Sequence, residues 1–247
     1  MAVAPFNLRQ QAYDRIRDLL RSGHLEPGAR LSTLELSRRL GISRTPIREA
    51  LSKLSSDGIV REVPGFGAYV HEPDAAELAE VYGVREVLEA YAARQAVEYI
   101  TNDELDRLEE LCLRWLAIAR HLRDSGASHL DLKSKDLCIR IDEQFHQTLL
   151  GAARNKTLFK TVDDMRLMSR TLEARRLDAS GRIDLAMVAR SYRDHATLLK
   201  ALRRRDADAA EHWMRHQIRV GRDHHLHRLR EREAEVTKPD ALSPTEA

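Results

Sequence analysis

The sequence predicts a mainly α-helical protein of two parts, a compact N-terminal unit of three helices and a hairpin, followed by an all-α antiparallel bundle. Three observations carry this. A fifteen-residue stretch from Leu40 to Leu54, LGISRTPIREALSKL, reads as a tight turn leading into a helix. Two short β-like runs, Ile59–Val63 and Ala68–Val70, flank the turn Pro64-Gly65-Phe66-Gly67. From Ala75 onward apolar residues recur at helical spacing with no further strand signal.

The elements follow in order. Leu8, Ala12, Ile16, Leu19 and Leu20 share one face of a helix that Gly23 and Pro27-Gly28 end. Ser32 with Glu35 forms a capping box opening a short helix that buries Leu36 and Leu40. Gly41-Ile42 supplies the turn, Ser43 or Thr45 an N-cap oxygen, and Pro46 sits in the first helical turn, where its missing N–H costs nothing. Ile47, Ala50, Leu51 and Leu54 form the apolar stripe, while Arg44, Thr45, Arg48 and Ser52 point elsewhere. A helix docked by one face, with Arg and hydroxyls near its N-terminal end, suits a DNA major groove. With the hairpin, this makes a winged helix-turn-helix over residues 1–72.

A second domain spans residues 73–232, with helices predicted over about 75–100, 102–125, 130–152, 155–178, 182–204 and 206–231. Thr101 with Glu104 is a capping box, Asn155 and Asp206 are N-caps, and Ser180-Gly181 marks a break. Residues 233–247, with Pro239 and Pro244, form a disordered tail.

Composition narrows the function classes. Of 247 residues 32% are charged, no apolar run reaches 18 residues and no signal-peptide core is present, so the expected setting is the cytoplasm, without a membrane partner. Cys112 and Cys138 form no CxxC group, which argues for free thiols rather than a disulfide or cysteine-zinc site. Residues 1–72 hold 11 Lys/Arg against 8 Asp/Glu, and the remainder 30 against 31, so the small basic surplus lies on the DNA-reading unit. No phosphate loop, nucleophile elbow or pair of catalytic carboxylates stands out, and no enzyme is expected.

Asp142 and His146, four apart, share a helix face and can chelate one ion; His195 and His216 lie on the two following long helices. A bundle can turn all four inward. Three imidazoles and a carboxylate suit Zn²⁺, Ni²⁺ or another first-row divalent ion, although eleven histidines make accidental pairings common.

The stretch LEPGARL, LSRRLGISRTPIREALSKL, DGIVREVPGFGAYV resembles the DNA-binding domain of the GntR family of bacterial transcription regulators, with SRTPIREAL its distinctive core. Residues 75–231 resemble the FCD ligand-binding domain of its FadR-type subfamily, on VREVLEAYAA, DEQFHQTLLGAARN, HATLLKALRRRDADAA and MRHQI. The resemblance implies DNA contacts from Arg30, Ser43, Arg44, Thr45 and Arg48, with Gly65 and Gly67 at the wing tip. It also implies a metal at Asp142, His146, His195 and His216, a small organic acid effector, and a homodimer on pseudo-palindromic operator DNA, acting as a repressor more often than an activator. Arg85 is either a partner for the effector carboxylate or half of a structural ion pair with a glutamate. Two alternatives stay open: a metal-dependent enzyme, and a DNA-binding dimer without ligand.

Overall fold

The computed structural model describes residues 8–174 and 183–236. The winged unit runs α1 (Leu8–Arg21), β1 (Arg30–Leu31), α2 (Thr33–Leu40), α3 (Arg44–Ser56), β2 (Val60–Val63) and β3 (Gly67–Val70). Ala12, Ile16 and Leu20 of α1 close over Ile47, Ala50, Leu51 and Leu54 of α3, while Leu8 stays exposed. Ser32 Oγ accepts from Glu35 N–H, and Gly41 adopts φ +66°, the left-handed conformation that lets α2 end and α3 begin at once. Ser43 occupies the N-cap of α3, yet its hydroxyl makes no capping bond, and Thr45 lies inside the helix; the expected side-chain cap does not form.

The sheet differs from the predicted hairpin. It has three antiparallel strands in the order β1-β3-β2, with Arg30 opposite Tyr69 and Val60 opposite Val70. A two-residue strand carries no alternation, so β1 is invisible to periodicity; it becomes a strand only through β3.

The bundle comprises α4 (Ala75–Tyr99), α5 (Asn102–Ser125), α6 (Leu132–Ala152), α7 (Lys156–Ala174), α8 (Leu185–Arg203) and α9 (Ala207–Val236). Helix α4 packs on α9 and α5 on α8, with α6 and α7 against α4. The Thr101–Glu104 capping box forms, Asn155 Oδ1 accepts from Leu158 N–H, and Asp206 Oδ1 accepts from Ala209 N–H. Helix α9 runs on to Val236, so residues 233–236 of the expected tail are helical. The rest of that tail and the break at Ser180-Gly181 lie outside the described residues. Among the described residues no helix is long and apolar enough to cross a membrane.

The two parts share apolar packing. Leu167 of α7, 1% exposed, belongs to the apolar core of the winged unit, and Met168 packs beside it. Around this contact Arg17 of α1 donates to Asp163 Oδ2 at 2.5 Å and to Asp164, and Arg21 donates to Asp163 at 2.6 Å.

Candidate functional site

Two sites emerge. On the winged unit, Ser43, Arg44, Thr45 and Arg48 are exposed at the N-terminal end of α3, opposite the face that Ile47 and Leu51 bury. Neither Arg44 nor Arg48 is paired with a carboxylate among the described residues, which leaves both guanidinium forks available. A groove of about 1100 Å³ lies between α3 and the wing, lined by Arg30, Arg48, Ser52, Gly65 and Gly67 among others. Gly65 and Gly67 have φ of +79° and +107°, and a Cβ on Gly67 would meet the Arg30 guanidinium at 3.6 Å, so the wing hairpin and Arg30 lie against each other. Free cations, hydroxyls and unbonded helix N–H groups on one surface are what a phosphate backbone and base edges require.

The second site is inside the bundle, in a cavity of about 640 Å³. Asp142 and His146 of α6 and His195 of α8 converge there, their donor atoms all within 4.8 Å of one another. His195 is wedged between Trp115 and Phe145, with ring centroids at 4.3 and 4.6 Å. Its Nδ1 lies 2.7 Å from the Ser191 carbonyl, which only accepts, so this nitrogen carries the proton. In the neutral ring Nε2 is then an acceptor, buried without a hydrogen-bond partner among the described residues and 3.5 Å from Asp142 Oδ1. His146 Nε2 stands 3.6 Å from the same oxygen. Burial pushes the His146 pKa well below its ordinary value, and the Arg166 guanidinium adds to this, so the ring is neutral. The His195 lone pair facing a carboxylate oxygen, with His146 Nε2 beside the same oxygen, is an arrangement a cation resolves. Donors held by a common ion at about 2.1 Å stand at most about 4.2 Å apart, and both separations from Asp142 fall inside that limit.

The surroundings are charged and largely buried. Glu89, fully buried, accepts from Arg85 Nε at 2.8 Å and from Arg166 Nη1 at 2.9 Å, and lies 3.5 Å from His146 Nδ1. Glu89 thus stands behind the His146 ring at ion-pair range, without a hydrogen bond to it among the described residues. Arg166 also donates to Asp142 Oδ2 at 3.0 Å, leaving Oδ1 to face the histidines. For Arg85 the structure takes the ion-pair alternative: Nε is bonded to Glu89, Nη1 donates to Ser169, and the guanidinium stacks on Tyr82 at 4.6 Å. Burial works against its charge, but Glu89 and Tyr82 together hold the pKa above the ordinary value.

His216 is the correction. It is exposed, its ring against Trp213, and takes no part in the cluster. Met214 and Ile218 are the buried positions of this turn, and one residue is 100° of helix, which carries His216 off the inward face and brings Gln217 onto the cavity wall. Sequence reasoning also missed Arg166, whose partners are 24 and 77 residues away and leave no local pattern.

Two family models match: "Bacterial regulatory proteins, gntR family" over residues 8–70 and "FCD domain" over residues 80–220. The chain belongs to the GntR family. It is similar to the Nta operon transcriptional regulator of Aminobacter aminovorans, 31% identical over 76% of this chain and 81% of that one. It is also similar to the HTH-type transcriptional repressor RspR of Escherichia coli K12, 28% identical over 84% of each. Among solved structures, E. coli McbR/YncC aligns with a TM-score of 0.73 at 24% identity, covering 94% of this chain and all of that one. A GntR regulator from Rhodococcus sp. RHA1 aligns at 0.66 and 20% identity, over 88% and 97%. These last two show a common fold. A GntR winged unit followed by an FCD effector-binding domain makes this chain a transcriptional regulator.

Proposed function

We propose that the chain is a homodimeric repressor whose grip on a pseudo-palindromic operator is set by a small carboxylate bound at a divalent metal in the bundle. The observation that carries this is the convergence of Asp142, His146 and His195, with a histidine lone pair buried and unbonded toward the carboxylate. The metal, when bound, supplies a positive centre with open positions for a carboxylate ligand. The chain's own residues do the rest. Ser191 fixes the His195 tautomer, Glu89 backs His146, and Arg166 holds Asp142 in place.

One short reading helix gains affinity when a second copy offers another to the adjacent half-site. Val84, Val87 and Tyr91, exposed at 46%, 59% and 48% along one face of α4, suit such a partner copy. The effector acts by preferring one arrangement of the winged units over the other.

The test is a thermal-shift screen of the metal-loaded protein against small carboxylic and sugar acids, each hit then assayed for operator binding by fluorescence anisotropy. The double variant His146→Ala/His195→Ala is expected to lose bound metal by elemental analysis and to lose the effector response. A normal response in that variant overturns the metal-anchored reading.

A further inference from the structure

We propose that Gln217 supplies the fourth protein ligand of the Asp142–His146–His195 site, and that its amide oxygen tilts the site from tetrahedral zinc toward harder, six-coordinate ions of the Mn²⁺ class. The proposal rests on the metal reading above.

The placement comes from α9. Met214 and Ile218 are buried, and Gln217 lies beside Ile218 on the wall of the cavity that Asp142, His146 and His195 line. Both Oε1 and Nε2 of Gln217 are shut off from solvent and have no hydrogen-bond partner among the described residues. A primary amide has two acceptor sites and two donors, and burying all of them unbonded is costly, so protein interiors rarely do it. The cavity holds a second buried acceptor in the same state, His195 Nε2. A cation answers both deficits at once, taking the imidazole nitrogen and the amide oxygen, and leaves the amide N–H₂ to donate to an oxygen ligand on the same ion.

The choice of ion follows from the donor set. Asp142, two imidazoles and an amide oxygen make two nitrogens and two oxygens with a single negative charge. Structural zinc sites are mostly nitrogen and sulfur in a closed tetrahedron, and each oxygen donor added to the set, carboxylate or carbonyl, suits Mn²⁺ and octahedral geometry better. With four protein donors, an octahedral ion keeps two positions open.

The test uses the full chain, stripped of metal and titrated calorimetrically with Mn²⁺ and with Zn²⁺, for the wild type and Gln217→Leu, Gln217→Glu and Gln217→His. Loss of an outer partner of a metal ligand already weakens affinity about 10–100-fold, so Gln217→Leu is expected to weaken Mn²⁺ by at least about tenfold. Gln217→Glu should tighten Mn²⁺, and Gln217→His should move the Zn²⁺:Mn²⁺ preference toward zinc by about tenfold or more. Circular dichroism checks each fold; should Gln217→Leu fail to fold, the near-isosteric Gln217→Glu decides. A wild type that binds neither ion brings down the metal reading itself. A wild type that binds, with Leu and Glu variants indistinguishable from it, overturns the role of Gln217 alone.

Discussion

Leu167→Ala probes the contact between the two parts of the molecule. Leu167 is carried by α7 of the bundle, yet its 1% exposed side chain completes the core formed by Ile16, Leu20, Ile47 and Leu54. Truncating a buried leucine costs about 2–5 kcal/mol, through lost transfer energy and the cavity left behind. Taking about 3 kcal/mol, the opening equilibrium of the winged unit rises about a hundredfold at 1.4 kcal/mol per decade. Hydrogen exchange read by mass spectrometry reports this locally. Amides of α1 and α3 are expected to exchange about a hundredfold faster, while those of α5 and α8 keep their protection. Unchanged rates in α1 and α3, or equal losses in α5 and α8, would refute the assignment of Leu167 to the winged core.

Arg48→Ala is expected to weaken operator binding by about 1–3 kcal/mol with the melting temperature unchanged, because the exposed Arg48 has no ion-pair partner among the described residues. Anisotropy titrations at several salt concentrations measure this; a wild-type affinity that does not fall with salt contradicts contacts to phosphate. Burial pushes the Cys112 and Cys138 thiols up to about 12, with Glu109 adding at the first and Asp142 at the second. Both stay protonated until pH approaches that value, and at pH 8 the thiolate is about one part in ten thousand, so a thiol reagent should label the native chain only as it unfolds. Rapid labelling of the folded protein would contradict the burial argument.

Elements set by local chemistry could be read from the sequence. Gly41, Pro46 and the spacing of Ile47, Ala50, Leu51 and Leu54 place α3, and Thr101 with Glu104 places the start of α5 to the residue. Asp142 and His146 were legible as a pair because four residues return to one helix face. What failed was pairing and phase. Strand β1 exists only by its bonds to β3, forty residues on. His216 and Gln217 are neighbours in the chain, but one of them faces water and the other the cavity. Helical periodicity in a 30-residue helix that is polar over much of its length does not fix rotation to within one residue. Arg166 needed the tertiary structure, since α4 and α6 each supply one of its carboxylates.

The sharing of α7 bears on how such a protein can be taken apart. A cut drawn near residue 72 looks clean in the sequence, but it passes through a core. The excised reading head would lose Leu167 and Met168, and would leave Arg17 and Arg21 facing the solvent where Asp163 and Asp164 stood. Gly58 adds a shape constraint, because a side chain there would meet Met168 at 3.5 Å. A chimera that grafts this head onto another sensor must therefore import four positions of the sensor's own helix, 163, 164, 167 and 168. The interchangeable part is larger than its fold, and its last pieces lie ninety residues beyond its end.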